Sequence, residues 1–101
     1  METQSYTVSN NKVNLQFQVE LGGEIAYLTY RFYKNNIAFM HTFVPNKLSG
    51  RGIASALASY AFAYAGEQKK LVMVYCPFVS KFIKKNTKYL SQLDRAYIGG
   101  K

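Results

Sequence analysis

Residues 41–57 read HTFVPNKLSGRGIASAL, and this stretch constrains the fold more than any other. It starts as a β-type run and is cut at Pro45, which has no N–H for a sheet ladder. It then passes through Gly50-Arg51-Gly52 into Ile53 to Glu67, an Ala-rich run with Ile53, Leu57, Tyr60, Ala61 and Tyr64 at helical spacing. Leu71 to Tyr75 follows as a short continuous apolar run, the pattern of a buried strand. Strand, helix and strand in that order, from Ile37 to Tyr75, predict a right-handed crossover between parallel strands.

The residues before it read differently. Val13, Leu15, Phe17, Val19 and Leu21 alternate with polar residues, the period of a half-buried strand. Gly22-Gly23 permits a tight turn. Glu24 to Tyr33 is a second strand, Asn35-Asn36 a second turn, and Ile37 to Val44 a third strand. Tyr6 to Val8 adds a short strand before an Asn10-Asn11 turn. After Pro77 a helix carries Phe78, Val79, Phe82 and Ile83 on one face and Lys81, Lys84, Lys85 and Lys88 on the other. The predicted order is β-β-β-β-α-β-α. The fold class is α+β: an antiparallel meander and one parallel β-α-β crossover in a mixed sheet, with two main helices. Residues 94–101 are expected to be a frayed tail.

A chain of 101 residues suits one domain spanning 1–101. Its aromatic content excludes a disordered chain and supports a core without staples. Cys76 is the sole cysteine and has no internal disulfide partner, which fits a reducing compartment. The run Ile53 to Ala65 is shorter than a bilayer requires, and METQSYTVSN has no signal-peptide pattern, so a cytoplasmic location is expected. The formal charge of +8 favours anionic partners: nucleic acid, headgroups or a phosphate-bearing small molecule. One His and one Cys without ligand spacing argue against a metal.

A helix start exposes unpaired N–H groups and the positive end of the helix dipole. Glycine lets a phosphate approach that backbone with no Cβ in the way. LSGRGIA therefore has the parts of a phosphate cradle, with Arg51 and Lys47 adding charge; a loop that needs glycine for its turn is the plainer reading. No Gly-Lys-Ser/Thr follows, so it is not a P-loop, and the dinucleotide fingerprint lacks its third glycine.

The stretch resembles motif A of the GNAT superfamily of acetyltransferases, Gln/Arg-x-x-Gly-x-Gly/Ala, on Ser49-Gly50-Arg51-Gly52-Ile53-Ala54. The segment His41 to Leu93, with HTFVP and CPFVSKFIKKN, is similar to the small single-domain N-acetyltransferase-like branch. The resemblance implies acetyl-CoA as cosubstrate and an amine acceptor. It implies that the amides of Ser49, Gly50, Arg51, Gly52, Ile53 and Ala54 hold the pyrophosphate. It implies that the backbone of Thr42, Phe43 and Val44 pairs with the pantetheine arm and polarises the thioester carbonyl. Two departures stand out: Ser49 occupies the Gln/Arg position, and Ile83 falls where many members carry a tyrosine as general acid for the leaving thiolate.

Cys76 precedes Pro77 at a helix start, surroundings that with Lys81 favour a thiolate. The resemblance would set it near the pantetheine sulfur as proton donor, acyl acceptor or CoA disulfide partner; otherwise it is a small buried hydrophobe. His41, expected on one strand face with Ile37, Phe39 and Phe43, is either a core residue or a general base for the amine. Glu24 is a weaker base candidate. The lysine face is a solvated surface or a contact for CoA phosphates or an acidic partner. Three functions stay open: an acetyl-CoA-dependent N-acyltransferase; a CoA-binding module or thiol-linked CoA sensor; and a basic nucleic-acid-binding domain using Tyr27 and Tyr30, which no recognition motif supports. Neither the amine nor the oligomeric state is readable.

Overall fold

The computed structural model describes residues 6–98. Six strands form one sheet in sequence order: β1 (Ser9–Asn11), β2 (Gln16–Leu21), β3 (Glu24–Tyr33), β4 (Asn36–Phe43), β5 (Leu71–Val74) and β6 (Leu93–Ile98). The first four pair antiparallel; β4 with β5 and β5 with β6 pair parallel. Helix α1 (Ile53–Glu67) connects β4 to β5, and α2 (Pro77–Lys85) stands between β5 and β6. The architecture is the expected α+β mixed sheet with two main helices.

Four local expectations need correction. Asn10 and Asn11 are in β1, paired with Phe17 and Gln16, and the turn falls at residues 12–15. Asn11 Oδ1 accepts from the N–H groups of Val13 and Asn14, an Asx turn that ends the strand there. Val13, whose alternation suggested a strand, is 92% exposed. Residues 94–98 are not a frayed tail but part of β6; 99–101 lie outside the described residues. This edge strand is held by the open side of β5 and by Asn36 Nδ2 donating to Asp94 Oδ2 at 2.6 Å, both long-range features. Its parallel pairing gives a second parallel pair where one crossover was expected.

The core lies between one sheet face and the two helices. Phe17 stacks on Tyr30 at 4.6 Å between ring centroids and meets Tyr60 and Tyr64 of α1 edge-on. Phe39 meets Phe62, and Phe62 stacks with Phe82 of α2. Such ring pairs add to the area term that drives burial. Tyr30 is buried, so it is no exposed stacking platform. Its hydroxyl donates to Asn10 Oδ1 at 2.6 Å. Burial pushes that hydroxyl's pKa up, helped by Tyr64 and Tyr60 and opposed by the Asn10 bond.

The sheet has a break in alternation that matters for the site. Tyr30 pairs with Phe39 and Thr29 with His41, which leaves Met40 as an extra residue in β4. A bulge of this kind reverses the faces of the residues after it. Ile37 and Phe39 point to the core; beyond Met40 it is Thr42 that shares their face, while His41 and Phe43 turn to the other side.

Candidate functional site

The parallel ladder between β4 and β5 runs from Asn36–Leu71 to Phe39–Val74 and stops. The N–H groups of Tyr75 and Cys76 both reach back to the Phe39 carbonyl, at 3.0 and 3.1 Å. Past that point β4 continues to Phe43 paired with β3 alone, and among the described residues no strand covers its other edge. The strands part into a wedge, with β4 on one side and the start of α2 on the other.

At the mouth of the wedge lies the glycine loop. Pro45 starts a short 3-10 turn (Asn46–Leu48), and the chain enters α1 through Gly50 at φ 77° and Gly52 at φ 78°. Both values are left-handed, where a Cβ is costly, so the turn needs glycine at these positions. The space in front is also open: a Cβ built on either residue meets nothing within 4 Å. Gly52 caps α1, no side chain caps the helix, and its first turn carries no acidic residue. Its first-turn N–H groups therefore face outward at the positive end of the dipole.

A cavity of about 240 Å³ opens there. Its lining includes Val44, Ser49, Gly50, Gly52, Ile53 and Ala54, so the fold brings together most of the motif read from the sequence. Phe78, from the first turn of α2, closes the far wall. Arg51 is exposed and is not among the residues that line the cavity. Lys47, read as added charge, instead lies 3.8 Å from Glu24 on the surface, a pair worth little in energy. Ser49, in the Gln/Arg position of the motif, donates its hydroxyl back to the Asn46 carbonyl at 2.9 Å.

Cys76 sits in the throat of the wedge as the N-cap of α2, 2% exposed. Its Sγ is 3.2 Å from Thr42 Oγ1, a contact that ties the free half of β4 to the helix start. Pro77 at the first helical position suits that start, since its missing N–H would be unpaired there anyway. His41 is not part of this cluster. It is exposed, on the sheet face opposite Thr42, so neither the expected shared face with Phe39 nor the core reading holds. Phe43 shares that open face and packs its ring on Tyr27 at 5.5 Å. Ile83 is 3% exposed and packs in the core, so it does not line the cavity at all.

Residues 16–93 match the family profile for the GCN5-related N-acetyl-transferase. The chain belongs to the GCN5-related N-acetyltransferase family. Among curated relatives, Protein NATD1 of Xenopus tropicalis is 33% identical over 95 residues, covering 89% of this chain and 87% of that protein. Protein NATD1 of Bos taurus is 35% identical over 92 residues, covering 86% and 81%. The family assignment makes this an acyltransferase-type domain. In this acetyltransferase fold two contributors escaped the sequence reading. Tyr6 donates its hydroxyl to the Arg51 carbonyl at 2.9 Å and pins the glycine loop from 45 residues away. Phe78 reads as an ordinary core residue of an amphipathic helix, and only packing turns it toward the cavity. Among the described residues no three His, Cys, Asp or Glu side chains come together to hold a metal. No described helix is long and apolar enough to cross a membrane.

Proposed function

We propose that this domain transfers an acetyl group from acetyl-CoA to an amine. The observation that carries the reading is the wedge between β4 and β5, opening beside an uncapped, glycine-lined helix start. A narrow, extended thioester arm with a diphosphate at its other end matches those two features. The free edge of Thr42 to Val44 offers backbone groups to the arm, and one N–H there polarises the thioester carbonyl. The amides of Ser49 to Ala54 receive the diphosphate.

The amine approaches from the open sheet face, where His41 is exposed beside the wedge. Its nitrogen attacks the thioester carbon, and the imidazole of His41 takes the proton the amine loses. The C–S bond then breaks, and the leaving sulfur takes a proton from the Cys76 thiol, which draws one back from water through Thr42. The products are an amide and free CoA. Cys76 is the donor of choice because the tyrosine of many family members is replaced by Ile83, which is buried in the core.

That replacement also supports a second reading, a CoA-binding module that forms a thiol-linked adduct at Cys76 with little transfer. Amide-shift mapping with acetyl-CoA tests the shared binding step. Shifts should appear first at residues 42–44 and 49–54; shifts confined elsewhere, or none at millimolar ligand, would remove both readings. Mass spectrometry after incubation with acetyl-CoA, and separately with oxidised CoA, separates them. Acetylated amine with an unmodified protein in the first sample supports transfer; no acetylated amine there, with a CoA mass on Cys76 in the second by thiol–disulfide exchange that releases one CoA thiol, supports the module.

A further inference from the structure

The sheet face opposite α1 and α2 holds a pocket of its own, of about 440 Å³. Arg31 pairs with Ala38 and Ala38 with Met73, so these residues form one row across β3, β4 and β5. Ala38 and Met73 make the floor and are buried, although the described helices pack on the other face. Arg31, Tyr33, Met40 and Tyr75 stand around that floor, each of them exposed. No residue that lines the pocket is Asp or Glu, and Asp94, whose carboxylate accepts from Asn36, is not part of the lining. Two further ammonium groups lie over rings that line it: Lys34 Nζ is 5.4 Å from the Tyr33 ring centroid, and Lys70 Nζ is 5.3 Å from that of Phe32. The pocket also adjoins the site already described. Tyr75 donates its N–H to the Phe39 carbonyl where the wedge opens, and His41 follows Met40 in β4.

We infer that this pocket holds the acceptor, a small amine that carries a carboxylate and an apolar body, as an apolar α-amino acid does. The inference rests on the acetyl-transfer reading and deepens it by giving the acceptor a chemical class. The carboxylate goes to Arg31, whose planar guanidinium can take it in two parallel bonds. The apolar body rests on Ala38 and Met73, among the Tyr33 and Tyr75 rings and the Met40 thioether. Thr29 pairs with His41, and Arg31 lies two residues further along β3, roughly 7 Å of strand. An arginine side chain and one amino acid together bridge that length, which brings the amine to His41 and the wedge. The transfer is the step given above: nitrogen bonds to the acetyl carbon, His41 takes the amine proton, and CoA leaves as its thiol. The positive rim sets the class. A polyamine or a lysine-rich peptide brings further cations to a pocket with no acid to receive them, and is repelled. A second copy of this chain is disfavoured on the same ground, since each carries a formal charge of +8. The volume lies in the range of small-molecule sites, roughly 300–1,000 Å³.

The test offers phenylalanine, phenylalaninamide and spermidine as acceptors to the intact protein with saturating acetyl-CoA, and refers kcat/KM to the unprotonated amine. Phenylalanine should exceed its amide by on the order of tenfold, and spermidine should be the poorest. Arg31→Gln should bring the acid-to-amide ratio to about one. Its affinity for acetyl-CoA should stay unchanged, which also shows that the variant is folded. N-acetylphenylalanine adds a readout that needs no turnover. It should shift the amides of Arg31, Ala38, Met40 and Met73 in the parent and bind the variant more weakly by a similar factor. Equal use of acid and amide, a preference for spermidine, a preference that survives Arg31→Gln, or shifts confined elsewhere each overturns the pocket and leaves the acetyl-transfer reading standing. So does broadening of the same amides with protein concentration alone, which gives the face to a second copy. Bound acetyl-CoA with none of these amines acetylated overturns the acceptor assignment. Failure to bind acetyl-CoA overturns the acetyl-transfer reading, and the acceptor pocket with it.

Discussion

The two halves of β4 share a strand and have little else in common. Its first half, Asn36 to Phe39, is paired on both edges and covered by α1, and Ile37 and Phe39 are fully buried. Its second half, His41 to Phe43, is paired on one edge only, with one side chain on the helix side and two on the open face. Met40 separates them. The extra residue interrupts the β3–β4 register, and the β4–β5 ladder ends at Phe39, so the first half is locked in the sheet and the second keeps one edge unpaired. On the function proposed above, the backbone groups that would complete a ladder in the second half are those the thioester arm would use.

That contrast can be broken from the stable side first. Phe39→Ala should destabilise the fold by about 3–5 kcal/mol, because it empties a packed site between Phe17 and Phe62. Denaturant unfolding measures it, and a loss near that of an exposed residue would mean that the first half is not the structural one. The glycine loop lies between the extremes. Gly52→Val should cost about 1–3 kcal/mol, since valine must adopt φ near 78°. Gly52→Asn separates strain from occupancy, because asparagine tolerates that region. It should fold near normally yet bind acetyl-CoA poorly, its side chain filling space that is now open. Retained affinity would argue that the diphosphate sits elsewhere. The smallest effect on stability belongs to the free half. His41→Ala should change unfolding by no more than about 0.5 kcal/mol, as expected of an exposed side chain. Amine acetylation should nevertheless fall by on the order of 10²–10⁴. Full activity would remove His41 as the base.

The residues themselves determined a good deal. Proline, paired glycines and an Ala-rich helical period marked the turn from strand to helix, and α1 begins and ends where its period does, Ile53 to Glu67. These are local signals: a missing N–H, a left-handed φ and a 3.6-residue repeat act over a few residues and are readable from a few. The glycine loop at the start of α1 was legible for the same reason, since the residues that bare that helix start are consecutive.

Tertiary structure decided the rest. The bulge at Met40 has no mark in NIAFMHTF, whose alternation runs straight through it. It follows from fitting β4 to β3 and β5 together, and it moved His41 from the core to the open face. β6 depended on the free edge of β5, and the loop is pinned by Tyr6, far off in the chain. Only packing could bring Thr42 within 3.2 Å of Cys76. A strand's period sets which side chains alternate, but which of them faces the core after an interruption depends on partners that lie elsewhere in the sequence.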